Sequence, residues 1–170
     1  MSMKKKNNNK VVGLDLSITA TGICASNGET YTVGGKSALG DERLVLIKIA
    51  ILDNLDADIY IIEDLPTHAH GAGVTGMVHG VVRATLLENK KKYILVTPAS
   101  LKKYATGKGN ANKVDMAIAL YERFGIKLPD DNQVDAYWLR MMGLDYFGIE
   151  KIDLPQVNKS VFEKINWGDT

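Results

Sequence analysis

The chain has 170 residues, 45% of them hydrophobic and 24% charged, with a formal net charge of +1. That length suits one domain with a sizeable core, and no apolar run in it is long enough to span a bilayer. The single cysteine, Cys24, excludes an intramolecular disulfide and a zinc-finger spacing.

In chain order, residues 1–10 (MSMKKKNNNK) are polar, basic and low in complexity, and they read as a mobile tail. No apolar stretch follows them as a secretory signal would require, and a cytoplasmic protein is the simple reading. Val11 to Leu16 reads as a buried strand. Gly22 to Asn27 and Thr30 to Val33 read as two more, joined by an Asn27-Gly28 turn. Arg43 to Leu55 has helical periodicity, with Leu44, Ile47, Ile51 and Leu55 on one face. Asp58 to Ile62 is a short strand, Gly73 to Asn89 a helix, and Tyr93 to Val96 a strand closed by Thr97-Pro98. Ala99 to Tyr104 is a short helix, followed by a Gly-rich loop over Thr106 to Asn110. Asn112 to Phe124 is a helix stopped by Gly125, and a last long helix starts at Pro129 to Asp131 and runs to about Tyr146. Residues 149–170 show no pattern. Three strands, then alternating helices and strands, predict an α/β fold: a mixed sheet of about five strands flanked by helices, over 11–148.

The charge is uneven. Lysines crowd the start and recur at Lys102, Lys103, Lys108 and Lys113, while acids collect at Asp53 to Asp64 and Asp130 to Asp135. Basic patches beside an acidic site suit a polyanion held near metal ions, although any one lysine run reads equally well as solvated surface. Asp15 closes an apolar strand, and Glu63 follows another, Ile59-Tyr-Ile-Ile. Asp135 lies in the last helix with Asp131 one turn earlier. Singly, each acid is as readily a turn residue or, for Asp131, a helix cap. Converging, they would repel one another, and a divalent cation is the natural compensation.

Four segments, Gly13-Leu-Asp-Leu-Ser-Ile-Thr-Ala-Thr-Gly22, Ile62-Glu63, Thr106-Gly-Lys-Gly-Asn-Ala-Asn-Lys113 and Asp131-Asn-Gln-Val-Asp-Ala136, together resemble the motifs of RuvC-type Holliday-junction resolvases. The short chain and basic tail look more like a bacteriophage-encoded version than a cellular one. The resemblance implies an RNase H-like fold, a homodimer paired through the 73–89 helix, and two Mg²⁺ or Mn²⁺ ions per active site. It implies paired nicks in branched DNA that leave 5′-phosphate and 3′-hydroxyl ends. Asp15, Glu63 and Asp135 match the family's acidic ligands. The fourth is carried over to Asp131, one residue before the family's usual offset, with Asn132, which stands at that offset, as a neutral substitute. Lys102 and Lys113 match basic positions expected to hold phosphates, with Lys113 also stabilising charge at the scissile group, and Lys108 adds a DNA-binding charge.

Two features stand apart from the pattern. Pro66 occupies a position where the family often has an aromatic residue, and Thr67-His68-Ala69-His70 reads better as a polar loop than as a zinc site. Alternatives from other classes are an actin-like ATPase, for which the chain has room for only one of two lobes, and a catalytically weakened branched-DNA-binding protein. A flap or fork nuclease of broad specificity is a third.

Overall fold

Two-residue alternation along the strands decides which side chains meet which helices. The computed structural model describes residues 8–36, 39–65 and 72–168, so residues 1–7, Pro66 and Thr67-His68-Ala69-His70 lie outside it. Its elements are β1 (Val11–Asp15), β2 (Thr21–Cys24), β3 (Thr30–Val33), α1 (Glu42–Leu52), β4 (Ile59–Glu63), α2 (Ala72–Glu88), β5 (Lys92–Val96), α3 (Pro98–Thr106), α4 (Lys113–Phe124), α5 (Asp131–Tyr146) and α6 (Gln156–Lys159), with a 3₁₀ turn over Ser160–Lys164.

The sheet order is β3-β2-β1-β4-β5. The first three strands are antiparallel, and β1–β4 and β4–β5 are parallel. This is the mixed five-strand sheet expected. The β2–β3 turn falls where Asn27-Gly28 places it: Gly28 has φ +92° and donates its N–H to the Ala25 carbonyl at 2.9 Å. Helix α1 stops three residues short of Leu55. Beyond it the Asn54 amide donates to the Ala50 carbonyl and to the Tyr31 hydroxyl, taking the chain out of the helix.

Both faces of the sheet are covered. Val12, Leu14, Tyr60 and Ile62 pack with Ile47, Ile51, Val78 and Val82 of α1 and α2. Val11, Ile59 and Ile61 pack with Leu101, Met116, Trp138 and Leu139 of α3, α4 and α5. Alternation then puts Asp15 and Glu63 on the second face, toward α5.

Helix α5 lies unusually close to the strands beneath it. A Cβ at Gly13 would collide with the Ala136 carbonyl oxygen and stand 2.7 Å from the Arg140 nitrogen. One at Gly22 would collide with the Asn132 carbonyl, and one at Gly143 would meet Ile61 and Val11 side chains at 2.7 and 2.8 Å. Glycine is required at these crossings so that the helix backbone can rest on the sheet. Arg140 adds a tie, donating to the Val11 carbonyl at 3.2 Å and the Ser26 carbonyl at 2.8 Å.

Residues beyond Gly148, patternless in sequence, pack onto the α3–α5 side. Ile152, Leu154, Val161 and Trp167 are buried. Trp167 stacks on Tyr146 with centroids 3.8 Å apart. The Asp145 carboxylate, almost fully buried, accepts from the Tyr104 hydroxyl and from the Ile152 N–H, and pairs with Lys159 at 2.9 Å. The Asn158 amide donates to the Tyr104 carbonyl at 2.8 Å, so the segment is fastened to the end of α3.

Gly13→Ala is expected to lose at least about 2 kcal/mol of stability, since the added methyl meets backbone that cannot rotate away. Urea unfolding of the two proteins checks this, and an unchanged midpoint would mean that α5 does not sit as described.

Candidate active site

Register brings the first two acids together. In the parallel β1–β4 pair Leu14 is matched with Ile62, so Asp15 and Glu63 are the next residues of adjacent strands, on the same face. The third acid arrives on α5, lowered onto β1 and β2 at Gly13 and Gly22. The start of α5 is fixed by Asp130, whose carboxylate accepts the Gln133 N–H at 2.9 Å and the Gln133 side-chain amide at 2.8 Å. The Gln133 side-chain Oε1 in turn accepts from the Thr30 hydroxyl of β3 at 2.7 Å. The cap is thus Asp130 and not Asp131, which leaves the Asp131 carboxylate outside the capping role.

The electrostatics show the convergence. Burial, then the charges of Glu63, Asp135 and Asp131, hold the Asp15 carboxyl well above the usual carboxylate range, with Lys113 opposing. Burial and the Asp135 charge push Glu63 up to about 7, against Lys102. Burial and the Asp131 charge push Asp135 up to about 6, against Lys102 and Lys113. Asp131 behaves oppositely: it forms an ion pair with Lys113, which holds its carboxyl below the usual range. Asp131 is within electrostatic reach of Asp15 and Asp135, whereas Asn132 has its backbone carbonyl and Cβ against Gly22 of β2.

The lysines reach the acids from one helix start and one helix side. Asn112 and Asp115 form a reciprocal capping box, with bonds of 2.9 and 3.0 Å, that makes Lys113 the first residue of α4. Thr97 caps α3 by accepting the Ser100 N–H, and Pro98 sits at its first position. Lys102 projects from that helix near Glu63 and Asp135. Lys108 is exposed and is not among the charges that shift the three carboxyls. It lines a separate hollow with Thr106, Arg123 and Asn158.

The donor set is all oxygen and anionic, which suits a hard divalent cation such as Mg²⁺. Among the described residues no three Asp, Glu, His or Cys side chains are already drawn around one point. The fit is one of donor chemistry and shared burial, without a closed cage. Sequence reasoning missed Gly13, Gly22, Gln133 and the Asp130 cap. Only the capping residue had a local signal, an Asp directly before a helical run.

No protein-family model matches the chain, and no curated protein matches it. Among solved structures the chain is similar to Thermus thermophilus RuvC, with a TM-score of 0.66 at 19% identity, covering 82% of this chain and 96% of that one. It is also similar to T. thermophilus RuvC in complex with Holliday junction substrate, at a TM-score of 0.68 and 18% identity, covering 85% and 98%. The yeast mitochondrial Holliday junction resolvase Ydc2 aligns at a TM-score of 0.45 and 11% identity, too far to weigh. The fold is therefore RNase H-like, and within that class it is the RuvC arrangement.

The raised carboxyls predict a pH dependence for the protein in EDTA. A carboxyl whose folded pKa exceeds its unfolded value binds its proton more tightly when folded, so stability falls as pH rises through that window. For Glu63 the window runs from 4.5 to about 7, and for Asp135 from 3.8 to about 6. Melting temperature without metal is expected to drop between pH 5 and pH 8, and added Mg²⁺ is expected to raise it more at pH 8 than at pH 5. A flat metal-free profile would deny that these carboxylates are crowded together.

Proposed function

We propose that this chain is a divalent-metal-dependent endonuclease that resolves four-way junctions and other branched DNA by paired nicks. The observation that carries the reading is the convergence of Asp15, Glu63 and Asp135 on one buried face, within reach of Lys102 and Lys113, on a RuvC-like fold. Asp15, Glu63 and Asp135 would hold Mg²⁺ or Mn²⁺, two ions per site, with Asp131 or Asn132 as a further donor. Bound there, the ions would activate a water and stabilise charge on the scissile phosphate and its leaving oxygen.

The chain's own residues do the rest. Lys102 and Lys113 hold the phosphate, and Lys113 exchanges its Asp131 partner for a phosphate oxygen when DNA arrives. Half-burial of the three carboxylates on the α5 face lowers the local dielectric, which strengthens each of these contacts. Attack on phosphorus with rupture of the bond to the 3′ oxygen leaves 5′-phosphate and 3′-hydroxyl ends.

Paired nicks require two sites related by a two-fold axis, hence a homodimer. Helix α2 supports that reading. Among the described residues, side chains added at Gly76 or Gly80 would meet nothing within 4 Å, and the neighbouring Val74 and Met77 are exposed. Those small residues are thus not used for packing on the chain's own sheet, and a second copy of α2 could approach them closely.

Asp15→Asn is expected to slow cleavage of a labelled four-way junction by roughly a thousandfold or more, about 4 kcal/mol of barrier, while leaving junction binding nearly unchanged. The assay runs beside forks, flaps and plain duplex to read substrate range. Wild-type cutting by the variant would remove the nuclease assignment.

A further inference from the structure

Helix α4 carries an apolar stripe that faces outward. Val114, Ile118 and Tyr121 follow at helical spacing and are 65%, 50% and 52% exposed, on a helix whose other side buries Met116 and Leu120. The stripe floors a hollow of about 570 Å³ lined by Lys113, Val114, Ile118, Tyr121, Lys127 and Asp131. The Lys127 ammonium stands 4.9 Å from the centre of the Tyr121 ring.

Two of those lining residues, Lys113 and Asp131, belong to the candidate active site, so the hollow is continuous with it. Its far end, at Tyr121, lies about 12 Å along the helix from Lys113. The floor is apolar and aromatic, with a lysine at each end; Asp131 is neutralised by Lys113, and Glu122 sits on the rim. A flat aromatic ring beside cationic groups is the surface on which an unpaired base stacks while its phosphates are held. A protein with an acidic rim could also meet that stripe and its lysines; what favours DNA is that the hollow runs into the candidate active site at Lys113 and Asp131.

We propose that this hollow binds a single-stranded nucleotide near the cut, its phosphate drawing Lys127 off the Tyr121 ring so that the base stacks there. The proposal rests on the nuclease reading and deepens it. It makes unpaired nucleotides, which occur at branch points and not in continuous duplex, part of what the protein selects.

The test uses the full chain and a four-way junction with 2-aminopurine placed at successive positions around the crossover. Tyr121→Ala is expected to weaken junction binding by at least about fivefold, and to abolish a position-specific fluorescence change seen with wild type. Tyr121→Phe is expected to keep both, because stacking needs the ring and not the hydroxyl. Lys127→Ala should weaken binding and lower its salt dependence by about one unit. Binding to plain duplex should not respond to Tyr121→Ala. If Tyr121→Ala binds and cuts junctions as wild type does while Asp15→Asn is inactive, the nuclease reading stands and the stacking site falls. Unchanged DNA binding with loss of self-association or of a protein partner would likewise overturn it and assign the stripe to a protein interface.

Discussion

The contact between helix α5 and the two strands beneath it sets the geometry of everything nearby. Backbone meets backbone at Gly13 and Gly22, where even a methyl group would collide with the carbonyl oxygens of Ala136 and Asn132. That approach brings Asp135 down to the level of Asp15, which the pleat of β1 already points upward. With a side chain at either glycine the helix would have to lift, and the third carboxylate would leave the first two. The capping chain Asp130–Gln133–Thr30 fixes the remaining freedom, because it sets where the first turn of α5 begins over the sheet.

The resulting cluster is electrostatically unfavourable on its own. Three half-buried carboxyls stand within electrostatic reach of each other, and desolvation together with their mutual repulsion holds all three above the usual carboxylate range. Lys102 and Lys113 offset part of this from the rim without closing ion pairs with the three. Such an arrangement gives up stability to keep charge in a low-dielectric place, which is where an arriving cation or phosphate feels it most. Asp131 belongs to another regime. It is more exposed and already paired with Lys113, although its charge still acts on Asp15 and Asp135.

Much of this was legible in the residues. Near-continuous apolar runs through Val11 to Leu16 and Ile59 to Ile62 marked two buried strands with acids at their ends, Asp15 and Glu63. Asn27-Gly28 marked its turn, and Gly125 marked the end of α4. What sequence could not show is what depends on distant partners. The need for glycine at 13 and 22 comes from a helix more than a hundred residues later. The pairing of Lys113 with Asp131 joins two helix starts. Residues after Gly148 are held by single anchors, Trp167 on Tyr146 and Lys159 on Asp145, along irregular backbone and a four-residue helix that leaves no periodicity to read.

Crystals grown with Mn²⁺ and measured at an anomalous wavelength test the central claim most directly. The account predicts Mn²⁺ peaks bounded by the carboxylates of Asp15, Glu63 and Asp135, lost on replacing Asp15 by Asn. Mn²⁺ bound only elsewhere, such as at the Asp56 and Asp58 end of the sheet, with none at those three residues, would contradict it.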